Sequence, residues 1–254
     1  MFNMIKAEHL KQKSTFQKVL IWLGPTITLL LVLVLMGGNY IQSGGYNWWY
    51  MFILPASLTM ISSFVINNDS KRTFHGLFSV VIDKDKIWYS KIILCTIYLG
   101  ITCLIFFLEV TIMGYLFKCT IPIQFSFLAS VLLFILSSWQ IPLFMYVSMR
   151  FSTSFAVIIS LVCNCGLGVI CSVTSIWWIP FAITPRIMCH VISILPNGLS
   201  VDNGSYPFDI KIIIIGLLIT VILYLLISYI SAKWFENRRY RYGTVYELCK
   251  DRFL

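Results

Sequence analysis

Charge is what this sequence has least of. Only 11% of its 254 residues are charged, against about 25% in ordinary soluble domains. Ten residues are acidic, three are histidines, and no Gly-Lys pair occurs. Without Gly-Lys there is no G-x-x-x-x-G-K-[ST] loop, whose backbone amides and lysine hold phosphates, so the chain by itself has no means of hydrolysing ATP. There is no HExxH, and His9, His75 and His190 fall in separate segments. No carboxylate–histidine set for a zinc enzyme or an intramembrane protease is left, and no catalytic or metal-binding residue is expected. No A-x-A-like site follows the first apolar run, and nineteen residues precede that run. A cleaved signal peptide is therefore not expected.

What fills the chain instead is apolar. Hydrophobic residues make up 59% and the mean hydropathy is +0.86. Runs of about 20 apolar residues occur at Leu20 to Met36, Trp48 to Ile66, Ile92 to Phe117, Phe125 to Met149, Phe155 to Val173 and Ile210 to Ile230. The expected fold is an all-α integral membrane protein with six transmembrane helices in one domain over residues 1–254, leaving no room for a separate soluble unit.

Lysine and arginine in short loops resist translocation. Sixteen of the nineteen lie in the N-terminal arm, the second and fourth connections and the tail after residue 230; only Lys118, Arg186 and Lys211 lie in the other connections. Both termini are expected on the cytoplasmic side, and the excess of nine positive charges is a topology signal. Arg238, Arg239 and Arg241 alternate with tyrosines, but a basic stretch after a span rests on anionic lipid, and no nucleic-acid partner is expected.

Within residues 1–19, Phe2, Ile5, Phe16 and Val19 share one helical face opposite Lys11 and Lys18, which describes a helix lying in the cytoplasmic interface. Glu8, His9 and Gln12 interrupt its apolar side, and a solvated basic arm is the other reading. The connection 67–91 carries Phe74, Leu77, Phe78 and Val81 at i, i+3, i+4 and i+7, one apolar ridge on a short helix. Asp83 is placed to end that helix and cap the next, with Asp85 in the following first turn and Lys86 in the charged rim. Lipid, with Trp88 as anchor, fits such a ridge; so does a groove on a cytoplasmic protein.

The openings "MIKAEHLKQKSTFQKVLIWLGPTITLLL" and "NWWYMFILP", followed by "FHGLFSVVIDKDKIWYSKIIL", "WWIPFAITP" and "LPNGL", resemble the permease subunits of ABC type-2 exporters. The similarity is narrower to those protecting Gram-positive bacteria against lantibiotics. It departs at Val81, where such segments often carry Pro, and at Ser90, where they often carry Gly. The resemblance implies an interfacial N-terminal helix, a cytoplasmic coupling helix in 67–91 that docks on a separate ATPase, and a pair of re-entrant outer helices in 174–209 before the last span. It implies coupling through Phe74, Leu77, Phe78, Val81, Asp83 and Lys86. No cofactor would bind this chain; ATP and Mg would be used by the partner ATPase, in two copies, beside a second, related permease. The implied function is expulsion of cationic lantibiotic-like peptides from the bacterial cytoplasmic membrane, giving immunity or resistance. Passive peptide binding without ATP, or export of a lipid-linked saccharide or drug, are the alternatives.

Glu109 is the only acidic residue within a predicted span. Counted from Lys91 at about 1.5 Å per residue it lies roughly 27 Å up, near the far edge of the hydrocarbon core. It is a possible contact for a cationic substrate or a headgroup-level carboxylate. Five of the eight cysteines fall in spans and read as packing residues, while Cys119 and Cys189 are free to pair across the outer side. Gly37, Gly38, Gly44 and Gly45 predict a flexible first outer loop, with Trp48, Trp49 and Tyr50 as interface anchors. The sequon Asn203-Gly204-Ser205 is read as accidental.

Overall fold

The computed structural model describes residues 1–12, 16–70, 84–199, 201 and 206–250. All regular elements among them are helices. Five stretches are long and apolar enough to cross a membrane: Gln17–Met36, Gly38–Asn67, Asp85–Leu116, Thr153–Ser172 and Ile210–Asn237; a bent pair supplies a sixth. The chain is thus an all-helical, multi-pass membrane protein.

α1 (Phe2–Lys11) precedes α2 (Phe16–Met36). The second crossing is composite: a 3₁₀ turn at Gly38–Tyr40, α3 (Ile41–Trp48), a π turn at Trp49–Ile53, and α4 (Leu54–Ser70). α5 (Lys84–Leu116) is one 33-residue helix. The fourth crossing breaks into α6 (Ile123–Ser138) and α7 (Gln140–Arg150), bent by 40°. Pro142 explains the bend, since it has no N–H for the Ser138 carbonyl and its ring crowds that turn. The fifth crossing joins α8 (Thr153–Leu161), a π turn at Val162–Leu167 and α9 (Gly168–Ser172). α10 (Pro180–Ile192) and α11 (Ile210–Lys250) complete the chain.

The composite second crossing forms the middle of the bundle. Its most apolar window is 72% buried inside the protein, against 17% for α11, so α11 lies on the periphery. Ile214, Leu218, Ile222 and Leu225 make an exposed stripe along α11, spaced four, four and three residues apart. A membrane's hydrocarbon is the solvent such a face requires. At the centre Trp49 stacks on Phe106 with centroids 4.7 Å apart and planes 8° from parallel, and the Tyr46 ring meets the same Phe106 edge-on at 5.1 Å.

Several expectations change here. Gly44 and Gly45 are buried within α3, and a methyl on either would press to 2.7 Å and 2.9 Å of Met36 and Leu29. They are contact points that let α2 approach, not loop joints; of the four glycines Gly37, at φ 78°, is the one that needs glycine's backbone freedom. Trp49 and Tyr50 are buried, so they belong to the core rather than to an interface belt. Residues 1–19 do not form one helix: α1 closes at Lys11, with Gln12 as its cap, and α2 begins at Phe16. The connection 174–209 holds one helix among its described residues. α10 is 13 residues, about 20 Å, too short for a core of about 30 Å, and its side chains are almost all buried. Past residue 230 the helix continues: α11 runs on to Lys250.

Candidate functional site

Phe74, Leu77, Phe78, Val81 and Asp83 lie outside the described residues, as do His75 and the sequon at 203–205. What the structure does describe is the helix that leads out of that connection. α5 begins at Lys84 with Asp85 in its first turn, and the exposed Lys86 donates its backbone N–H to Asp85 Oδ1 at 2.8 Å. One turn on, Trp88 is fully buried: its Nε1–H donates to Ser231 Oγ at 2.9 Å and its ring stacks on Phe235 at 4.8 Å. Trp88 is thus a rivet between α5 and α11, not a lipid anchor.

Three residues further, Lys91 is 1% exposed and donates to Glu8 Oε2 at 2.7 Å; Lys11 bonds the other oxygen, Oε1, at 2.7 Å. His9 Nδ1 and the Tyr98 hydroxyl are 2.9 Å apart two turns up the same helix. The polar residues that break the apolar side of α1 are therefore its docking surface on α5. Phe2 and Val19, offered as the apolar face, are 78% and 48% exposed, as a lipid-facing side requires. At the same end the Asn67 amide donates to Thr153 Oγ1 at 2.7 Å, and Tyr146 meets Trp234 edge-on at 4.7 Å. Both flanks of the 67–91 connection are thus fixed to neighbouring helices.

Glu109 is met by a side chain of another helix: Thr26 Oγ1, in α2, donates to Glu109 Oε1 at 2.9 Å. Glu109 Oε2 has no hydrogen-bond partner among the described residues. A carboxylate satisfied on one oxygen within an apolar helix bundle is costly, which marks Glu109 as a candidate for function.

Between these two places the helix irregularities meet. Asn164, in the π turn of the fifth crossing, and Gln140, at the bend of the fourth, exchange amide hydrogen bonds of 3.0 and 3.2 Å. Cys165 Sγ contacts the Met51 carbonyl at 3.2 Å, linking that π turn to the one in the second crossing. A side chain that can trade hydrogen bonds with backbone stabilises such turns, which are common at sites of function or motion. Sequence periodicity missed this layer, because π turns leave the apolar run unbroken; Asn164 and Gln140, lone amides in apolar surroundings, were its only signal. Cys119 is exposed, Cys189 is buried, and both are free thiols, so the two do not pair. Among the described residues no group of three His, Cys, Asp or Glu side chains could hold a metal.

Comparison with models of protein families, with curated proteins and with solved structures returns no match. The case for function rests on the chain's own residues.

Proposed function

We propose that the chain is the membrane-spanning permease subunit of an ATP-driven exporter, working with a separate ATPase and a second, related permease, and that its cargo is a cationic, lantibiotic-like peptide taken from the bacterial cytoplasmic membrane. The observation that carries this reading is the joint around the 67–91 connection. Trp88 on Ser231 and Phe235, and Lys91 on Glu8, lock the start of α5 to α11 and α1. Force applied to that connection from the cytoplasm is handed to three helices as one body. A surface loop held only by lipid would need no such anchoring.

The ridge Phe74, Leu77, Phe78 and Val81, with Asp83 and Lys86 at its rim, is the part that docks on the ATPase, which binds the ATP and Mg. The positive-charge distribution supports a cytoplasmic position for both termini and this joint. Glu109, beside Thr26, is the negative group for a lysine of the peptide. The layer of bend and π turns at Gln140, Asn164 and Met51 is where the crossings flex while the joint stays rigid. Peptide leaves by alternating closure of the permease pair, and no bond of the cargo is broken.

The test is a deletion strain challenged with a panel of lanthionine-bridged cationic peptides. Loss of resistance to at least one, restored by the wild-type chain and reduced by Glu109→Ala, is the expected result. Unchanged resistance across the panel would refute the peptide cargo.

A further inference from the structure

The π turn of the fifth crossing inserts one residue into what would otherwise be a continuous α-helix. It closes with the Gly168 N–H reaching back five residues to the Cys163 carbonyl, where an α-helix reaches back four. Everything after the turn is therefore one residue out of step with α8. α8 itself is pinned to α4: Ser160 Oγ donates to the Pro55 carbonyl at 3.3 Å, and Thr153 Oγ1 accepts from the Asn67 amide at 2.7 Å. If the turn relaxed to α geometry, α8 would stay and α9 would rotate by about 100°, the angle of one helical residue. Leu167 would then take the place that Gly168 has now.

That place is tight. Gly168 is buried, and a Cβ on it would lie 3.4 Å from the Phe181 carbonyl oxygen and 3.6 Å from Met51 Cε and Pro185 Cγ. A methyl fits there at van der Waals distance; the exposed Leu167, with a branched side chain beyond its Cβ, does not. Phe181 and Pro185 belong to α10, which has two more ties at this level. Arg186 Nη1 donates to the Ser172 carbonyl at the end of α9 at 3.1 Å, and the Phe181 ring meets Trp139, at the bend of the fourth crossing, edge-on at 4.9 Å. α10 can therefore sit where it does only while the turn is π. The side chain at the centre of the turn holds it so. Asn164 is 5% exposed: its Nδ2 donates to Gln140 Oε1 at 3.2 Å and to the Ser160 carbonyl at 2.8 Å, and its Oδ1 accepts from Gln140 Nε2 at 3.0 Å.

We infer that the π turn at Val162–Leu167 is a register switch that couples α10 to the fifth crossing. In the state seen here the turn is π, Gly168 faces α10 and α10 is docked. In the other state the turn is α, Leu167 occupies that place and α10 is displaced from α9. The Asn164–Gln140 pair holds the first state, and its release allows the second. The inference rests on the exporter reading, in which this layer flexes, and deepens it by naming the element with two arrangements and the helix that answers to it.

The test uses the full-length chain in nanodiscs and reads, by peptide mass spectrometry, the rate at which N-ethylmaleimide labels Cys189, which is fully buried on α10. Two variants share Gln140→Met, so that no amide is left unpaired. One adds Asn164→Leu, which keeps the residue count and removes the bonds that hold the π turn. The other adds deletion of Asn164, which takes out the extra residue, so that a plain α-helix sets Gly168 in its present place. The first is expected to label about tenfold faster than wild type, the scale of one net hydrogen bond, and the deletion within about threefold of wild type. A layer that only packs gives the opposite order, since a deletion disturbs more contacts than a substitution. Labelling of the Asn164→Leu variant at the wild-type rate, or of the deletion as fast as the substitution, would overturn the switch. In the resistance assay the deletion, fixed in one register, is expected to lose protection although α10 stays docked. Wild-type protection by the deletion would overturn the switch and leave the exporter reading standing. A wild-type chain that protects against no peptide refutes the peptide cargo, and the two labelling rates still decide the switch.

Discussion

Replacing Glu8 by alanine removes a carboxylate that a buried ammonium is bonded to. Lys91 is 1% exposed and its Nζ donates to Glu8 Oε2 at 2.7 Å. Removing one member of a buried ion pair costs about 3–5 kcal/mol. The protein has a cheaper way out than global unfolding: α1 can lift off α5 and admit water to Lys91. The loss then appears as opening of α1. At 1.36 kcal/mol per power of ten, amide exchange in residues 2–11 accelerates by roughly two to four orders of magnitude. Helices away from the joint, such as α8, keep wild-type protection. Hydrogen exchange read by mass spectrometry in nanodiscs measures this directly. The double variant Glu8→Leu with Lys91→Met restores slow exchange to within about tenfold of wild type, since well-packed apolar residues replace such pairs at little net cost. Exchange in Glu8→Ala within threefold of wild type, in correctly inserted protein, would refute the claim that this pair holds α1 down.

Three further outcomes follow from the packing. Trp88→Ala lowers stability in detergent melts by about 3–5 kcal/mol, and Trp88→Phe, which keeps the stack on Phe235 and loses only the Ser231 bond, by about 1 kcal/mol. Equal losses would mean that the indole's bulk contributes nothing. Gly114→Ala puts a methyl 2.1 Å from Gln42 Nε2 and pushes Gln42 off the Thr120 and Ile121 amides, costing about 1–3 kcal/mol; an unchanged melt would show that Gln42 has another route. At pH 7 a maleimide labels the exposed Cys119 and spares Cys189, whose thiol burial pushes up to about 12 and so keeps protonated. Labelling of Cys189 in the folded state, or a Cys119–Cys189 bridge in non-reducing peptide maps, would contradict the structure.

The helical membrane class was legible in the sequence because runs of 20 apolar residues have few other uses. The crossings were found where hydropathy put them, within a few residues at most ends. Depth and contact were not legible. Trp49, Tyr50 and Trp88 carry the composition of interface anchors, yet the neighbours that bury them, Phe106, Ser231 and Phe235, are 57 to 147 residues away. Lys91 was counted among loop cations because no local pattern reveals a partner at Glu8. The polar interruptions of α1 looked like defects in an apolar face and are the face that docks. Glu109 was visible as a lone acid in an apolar run; its partner Thr26, 83 residues away on another helix, was not.

The central claim is that an ATPase docks on the 67–91 connection and drives this chain. The most direct measurement isolates the tagged protein from native membranes in mild detergent, identifies what accompanies it, and compares wild type with Phe78→Asp. A charge on a docking ridge is buried without a partner, so the account predicts a Walker-motif ATPase with the wild type and its loss from the variant, which inserts normally. A wild-type preparation shown to be intact and free of any ATPase would contradict the account.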